Sequence, residues 1–201
     1  MQHQLLSMLS AKTGHFELES GHHGNLWLDL EPLFLRPNDL CPFVGELAQR
    51  LAGHECEAVC GPLIGGAFVA HSVASMLDVE FYFTEEMNSP RREGLFSVEY
   101  RLPASLRDSV RGKRIAIVSD VINAGSAVRG TTADLETCGA MVVAIGTLVV
   151  LGDSAAQFAA DKNLPLHYVA SLPNPLWTPA ECPLCAAGVA VESMDQNDVL
   201  N

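Results

Sequence analysis

The chain has 201 residues, 48% of them apolar and 18% charged, a composition that describes a compact globule with a sizeable core and excludes a disordered chain. Lys and Arg total 12 against 24 Asp and Glu, for a formal charge of −12, which argues against nucleic-acid binding through a basic patch. No apolar run reaches the length of a membrane span, and the start, MQHQLLSMLSAK, lacks the basic region and long apolar stretch of a signal peptide, so a cytoplasmic protein with no membrane and no nucleic-acid partner is expected.

Taken in chain order, residues 2–11 read as a short helix with Leu5, Leu6, Met8 and Leu9 inward. His15 to Glu19 alternates polar and apolar, as a half-buried strand does. Ser20 to Gly24 is a turn and Asn25 to Leu30 a second strand, so the N-terminal region reads as a hairpin. Asn38 and Asp39 are positioned to cap a helix that runs to about Leu51 and closes at Gly53. Ala58-Val59-Cys60 is a short buried strand ending in the turn Gly61 to Gly66. A helix through about Met76 and a strand at Val79–Phe83 follow. Residues 85–97 have no clear period and hold many turn formers, which indicates a long loop or a mobile hairpin of the kind that covers active sites.

Ile115–Val118 is nearly all apolar, as a parallel strand covered on both faces must be. A helix begins near Gly125 or Ser126 and ends at Gly139; Met141–Val150 is another long apolar strand. A short helix at about Ser154–Ala160 and a strand at Leu166–Ala170 complete the pattern. The tail Pro173–Gly188, rich in Pro and Cys, reads as irregular. Strand and helix alternate from residue 58 to 170, which predicts an α/β fold with a doubly wound parallel sheet.

Six cysteines in a chain of this kind read as thiols rather than a disulfide framework. Cys182 and Cys185 have CxxC spacing, but a structural zinc site needs four ligands. Cys56 and Cys60 would complete one only if the fold brought them close, so plain thiols and no protein metal site are expected. His22 and His23 read as an exposed pair in a turn, with a contact to a ligand as the other reading.

The chemistry concentrates in glycine-bearing turns: Gly61–Gly66, Asn123–Ala127 and Gly152. In open α/β sheets the ligand binds beyond the carboxyl ends of the strands, where the first two turns fall. In Ser119-Asp120-Val121-Ile122-Asn123-Ala124-Gly125-Ser126-Ala127, an apolar strand leads through a carboxylate into a loop of small residues that opens a helix. Backbone N–H groups of Asn123–Ala127 and the Ser126 hydroxyl can surround a phosphate at the positive end of that helix. Asp120 is placed to accept hydrogen bonds from sugar hydroxyls. The loop is neither a P-loop nor a GxGxxG turn, and a plain strand–turn–helix with a capping Asp is the structural alternative.

Ile117–Ala127 resembles the phosphoribosyl pyrophosphate signature of type I phosphoribosyltransferases, in which a hydrophobic strand, two acidic residues and two apolar residues precede a Thr/Ser-Gly loop. Gly14-His-Phe-Glu-Leu-Glu-Ser-Gly21, Cys60-Gly-Pro-Leu-Ile-Gly-Gly66 and Trp177-Thr-Pro-Ala-Glu-Cys-Pro-Leu-Cys-Ala-Ala-Gly188 are similar, in that order, to motifs of the orotate branch. The resemblance implies the type I phosphoribosyltransferase fold over 1–201, with a core of about 36–171, a hood from about 1–35 and 172–201, and a mobile loop at about 85–97. It implies an enzyme that transfers a phosphoribosyl group from phosphoribosyl pyrophosphate to a nucleobase, with orotate the default, as a homodimer using Mg²⁺ bound mainly through the substrate phosphates.

By the same resemblance, Ser119 and Asp120 meet the ribose, Asn123 to Ala127 hold the 5-phosphate, and Val121 and Ile122 belong to the same phosphoribosyl pyrophosphate-binding stretch. Leu63, Ile64, Gly65 and Gly66 hold pyrophosphate, while Trp27, Leu28 and Asn123 lie against the base. Arg91 and Arg92 replace the cationic cluster of the catalytic loop, or form a solvated pair there. Four positions depart from the family pattern. Ser119 stands for the first acidic residue, Glu19 for a lysine, Asn123 for the usual loop threonine, and Leu151 for the arginine that meets the orotate carboxylate. Two alternatives follow: a phosphoribosyltransferase for another base, or a catalytically silent regulatory protein that binds phosphoribosyl pyrophosphate.

Overall fold

The computed structural model describes residues 1–87 and 95–192. Its centre is a six-stranded sheet of order β5-β4-β3-β6-β7-β8. The strands are β3 (Ala58–Pro62), β4 (Glu80–Met87), β5 (Glu99–Arg101), β6 (Arg114–Ile122), β7 (Met141–Leu151) and β8 (Leu166–Leu172). All neighbours pair in parallel except β5, which runs antiparallel to β4 at the edge. The β4–β5 pairing (Glu85↔Arg101, Met87↔Glu99) makes the base of the 85–97 segment a hairpin; residues 88–94 lie outside the described residues.

Side chains of one strand point alternately to the two faces, and each face has its own helices. Val59, Ala116, Val118 and Ala144 pack with α3 (Pro37–Ala52) and α4 (Gly65–Leu77). Ala58, Cys60, Ile115, Ile117 and Ile145 pack with α5 (Ser126–Thr137) and α6 (Ser154–Asp161). Both faces are apolar because both are covered, and the expected doubly wound parallel sheet is what the chain forms.

The chain ends build a second, three-stranded antiparallel sheet of order β1-β2-β9, from β1 (Ser10–Glu17), β2 (His23–Asp29) and β9 (Leu176–Trp177). Several boundaries differ from the sequence reading. The first helix, α1, spans only Gln2–Leu6, because Ser10 and Ala11 are recruited to pair with Asp29 and Leu28. A short helix α2 (Glu31–Phe34) follows β2. The next helix starts with Pro37 at its first position behind Arg36, without a side-chain cap from Asn38 or Asp39; proline suits that position because its missing N–H would have no intrahelical partner there. The tail is not wholly irregular: β9 pairs His23 with Trp177 and Gly24 with Leu176, and a one-turn helix α7 spans Pro183–Ala186.

Candidate functional site

The carboxyl ends of β3, β6 and β7 open into one crevice of about 1430 Å³, whose walls also include residues of the small sheet. Ser119, Asp120, Val121, Ile122 and Asn123 to Ala127 line it, as do Leu63 to Gly66, Trp27 and Leu28. The two glycine turns and the small-sheet positions singled out in the sequence therefore face one space. Arg91 and Arg92 lie outside the described residues.

Strand β6 runs four residues further than its apolar run suggests, through Ser119, Asp120 and Val121 to Ile122. This holds Asp120 on regular backbone at the floor of the crevice. Burial pushes its carboxyl up, against backbone hydrogen bonds from Val121 and Asp120 and the Ser119 hydroxyl, which favour the carboxylate. Ser119 Oγ lies 3.2 Å from Asp120 Oδ1 and 3.1 Å from the Val121 carbonyl. Serine in place of a second acid thus orients the remaining carboxylate.

The first turn closes directly over this carboxylate. A Cβ on Gly65 would sit 2.0 Å from Asp120 Oδ2, and one on Gly66 would sit 3.3 Å from Ser119 Cα. Glycine at both positions is what lets the start of α4 approach β6. The Leu63–Ile64 peptide beside it is cis, and Ile64 is exposed to the crevice at 64%.

The second turn has Gly125 at φ +88°, capping α5 without a side-chain hydrogen bond. The left-handed conformation is cheap only for glycine. The residues around this turn, Asn123 to Val128, line the crevice at the positive end of a 12-residue helix. Ser126 Oγ is buried and has no hydrogen-bond partner among the described residues, so its O–H is a donor available to an anion oxygen at the helix start. Arg129, one turn into α5, was not singled out in the sequence. Its guanidinium lies 4.7 Å from the Phe96 ring centroid and 4.4 Å from that of Phe158. A Cβ on Gly125 would lie 3.7 Å from its Nε, so a held cation stands behind the loop.

Asn123 accepts a 2.9 Å hydrogen bond from Asn174 Nδ2. The third glycine, Gly152 (φ +64°), serves that contact: a Cβ there would lie 2.5 Å from the Asn174 carbonyl oxygen. It lets the tail cross the end of β7 rather than cradling a ligand.

The wall formed by the small sheet and the end of β7 is apolar and acidic. Leu151 is buried, at 3% exposure, at the end of β7. Among the described residues lining the crevice there is no Lys, Arg or His, whereas Glu19, Glu31, Glu85, Glu86 and Asp120 are all present. Tyr100, also missed in the sequence, is buried in this wall. Its phenol is held un-ionised first by burial and then by Glu19 and Glu86, and Glu19 hydrogen-bonds it. Hard carboxylate oxygens of this kind suit Mg²⁺.

The histidines and the CxxC pair depart from expectation. His22 is half-buried, with Nδ1 3.0 Å from Ser20 Oγ and its ring 5.3 Å from Phe96. His23 is buried in β2, and it meets His15, Cys182 and Cys185 rather than solvent. Cys60 lies in β3 within the core and Cys56 packs against the core on the opposite face, so neither joins the CxxC pair. The His15–His23 spacing across a predicted hairpin was the available signal, but reading it required the strand register.

The family description "Phosphoribosyl transferase domain" matches residues 42–169. Among curated proteins, the orotate phosphoribosyltransferase of Caldanaerobacter subterraneus subsp. tengcongensis is 30% identical over 176 residues, covering 88% of this chain and 85% of the relative. That of Thermotoga maritima is 30% identical over 182 residues, covering 89% and 88%. Among solved structures, adenine phosphoribosyltransferase from Thermoanaerobacter pseudethanolicus superposes with a TM-score of 0.67 at 16% identity, covering 85% of this chain and 99% of that one. Orotate phosphoribosyltransferase from Aeropyrum pernix superposes with a TM-score of 0.59 at 24% identity, covering 81% and 88%. These superpositions reach both base classes.

Proposed function

Since the chain belongs to the phosphoribosyl transferase family, we propose that its crevice transfers the phosphoribosyl group of phosphoribosyl pyrophosphate to orotate, releasing pyrophosphate. The observation that carries this reading is the convergence of Asp120, the Asn123–Ala127 turn and the Leu63–Gly66 turn on one space. In the proposal the N–H groups of 123–127 and the Ser126 hydroxyl hold the 5-phosphate. Asp120, steadied by Ser119, accepts from the ribose hydroxyls. The amides of Leu63–Gly66 hold pyrophosphate, and Trp27, Leu28 and Asn123 border the base.

In this reading an oxocarbenium-like centre forms as the C1–O bond breaks, and a carboxylate at Asp120, which lines the crevice, would stabilise that positive charge once the ribose is bound there. Holding donor and base together turns a bimolecular encounter into a positioned one. An acidic crevice repels an anionic substrate, so Mg²⁺ bound mainly through the substrate phosphates would supply the neutralising charge, with Asp120, Glu85 and Glu86 as oxygen groups on its protein side. Arg91 and Arg92 belong to the proposal as cations for pyrophosphate.

A second reading is favoured by Leu151. A buried leucine offers a carboxylate no partner, and an unpaired buried charge is costly. An uncharged base would need no such partner at that position. The test is pyrophosphate release from phosphoribosyl pyrophosphate and Mg²⁺ with orotate, adenine, uracil and related bases. Release with orotate is expected. Release only with an uncharged base assigns the second reading. Binding of phosphoribosyl pyrophosphate by calorimetry with no release on any base would instead make the protein a silent, regulatory binder.

A further inference from the structure

Four side chains remote in sequence converge outside the crevice: His15, His23, Cys182 and Cys185. One ligand atom from each lies within 4.8 Å of all the others. His15 Nε2 is 3.0 Å from His23 Nδ1, 3.4 Å from Cys182 Sγ and 3.7 Å from Cys185 Sγ, and Cys185 Sγ is 3.2 Å from His23 Nδ1. With Zn–N of about 2.05 Å and Zn–S of about 2.3 Å, a tetrahedral site has edges of about 3.3 Å (N–N), 3.6 Å (N–S) and 3.8 Å (S–S). The four spacings given fall within about 0.4 Å of those edges, and the other two pairs lie within 4.8 Å.

The surroundings fit a ligand set better than a hydrogen-bonded cluster. His15 Nδ1 lies 2.8 Å from the Val189 carbonyl, which accepts only, so the ring proton belongs on Nδ1 and the Nε2 lone pair points into the cluster. This is the arrangement by which an outer carbonyl fixes a metal-bound histidine. Three groups then crowd one nitrogen that has no proton to give. His15, His23 and Cys182 are buried, and Cys185 is exposed. Four protein ligands close a tetrahedral site and leave no position for substrate, which marks a structural centre rather than a catalytic one.

We propose that this chain binds one zinc-type divalent cation through His15 Nε2, His23 Nδ1, Cys182 Sγ and Cys185 Sγ, and that this ion fastens the tail to the N-terminal hairpin. His15 sits in the irregular stretch between Thr13 and Phe16 of β1, His23 starts β2 opposite Trp177 of β9, and the cysteines flank the start of α7. Strand β2 then carries Trp27 and Leu28 to the crevice wall, so the ion holds the scaffold of that wall. The soft sulfur and imidazole donors distinguish this site from the oxygen-lined crevice. The inference does not rest on the transfer reaction.

The test uses the full chain purified under reducing conditions with zinc in the medium. Elemental analysis is expected to find about one zinc per chain. Exchange for Co²⁺ should give visible bands of a tetrahedral ion and a thiolate charge-transfer band. Cys185→Ser, at an exposed position, should abolish the charge-transfer band from that sulfur and cut zinc retention at least tenfold, with the far-ultraviolet circular dichroism unchanged. Cys41→Ser, at an exposed thiol elsewhere, should alter nothing. Removal of zinc by a chelator should lower the unfolding midpoint, and zinc but not Mg²⁺ should restore it. A folded chain that neither carries zinc nor takes up Co²⁺, or one whose Cys182 and Cys185 form a disulfide under those conditions, overturns the proposal.

Discussion

Gly65→Ala is the sharpest probe of the crevice floor. The new Cβ would lie 2.0 Å from Asp120 Oδ2, 2.7 Å from its Cγ and 3.3 Å from Phe34 Cε2. A carbon and an oxygen need about 3.3 Å, so the carboxylate or the turn must give way by about 1.3 Å. The Asp120 side chain is boxed in by Ser119 and the Val121 amide, which leaves the turn of residues 63–66 to share the shift. A misplacement of about 1 Å at reacting groups costs on the order of 100-fold in rate, while overpacking of this size costs about 1–3 kcal/mol of stability. The expected result is therefore a fall of about 100-fold in kcat/KM for phosphoribosyl pyrophosphate, with a lowering of Tm by about 2–4 °C per kcal/mol lost. Steady-state pyrophosphate release and a thermal melt read the two quantities. Gly53→Ala, where an added Cβ meets nothing within 4 Å, controls for the change itself and should keep full activity. A folded Gly65→Ala protein within about twofold of wild-type kcat/KM would refute the placement of Asp120 beneath that turn as the working floor.

Ser126→Ala should weaken ribose 5-phosphate binding by about 1.5–3 kcal/mol, the worth of a hydrogen bond to a charged group. Its Tm should barely move, since that hydroxyl has no partner among the described residues; calorimetry and a melt separate the two effects, and a large Tm drop would contradict the reading. Burial raises the Asp120 pKa in the free protein, and a ribose or Mg²⁺ contact favours the carboxylate. Binding of phosphoribosyl pyrophosphate with Mg²⁺ should therefore weaken as pH falls through that raised pKa, and release protons in that window; Asp120→Asn should remove the dependence. Proton release is read by calorimetry in buffers of differing ionisation enthalpy, and equal heats in all buffers would count against it. Asp134 accepts from the Leu102 N–H at 2.8 Å and from Arg107 at 2.9 Å. Asp134→Ala should cost about 1–3 kcal/mol, chiefly because the Leu102 N–H loses its buried acceptor while Arg107 stays partly hydrated, leaving kcat unchanged in those molecules that remain folded; denaturant unfolding measures it.

The central sheet was legible because its strands carry the signal in their own composition. Ile115–Val118 is apolar on both faces, and the alternation of Ala58, Val59 and Cys60 between two cores follows from strand geometry alone. The two turns were legible because glycine and small residues follow those strands directly. What failed were features set by distant pairing. Ser10 and Ala11 look helical locally, but Asp29 and Leu28 draw them into β1. Leu176 and Trp177 form a strand only because the edge of β2 is there to pair with. Gly152 resembled a ligand turn and instead makes room for Asn174. Arg129 was not singled out, because the rings of Phe96 and Phe158 that hold it come from separate segments. The His15–Cys182 contact spans 167 positions, and no local pattern announces it.

The most direct test of the account is a crystal structure of the full chain with phosphoribosyl pyrophosphate and Mg²⁺. The account predicts the 5-phosphate on the N–H groups of residues 123–127 and the Ser126 hydroxyl, the ribose hydroxyls on Asp120, and the pyrophosphate over Leu63–Gly66. Phosphoribosyl pyrophosphate bound with its 5-phosphate away from the start of α5 would contradict it.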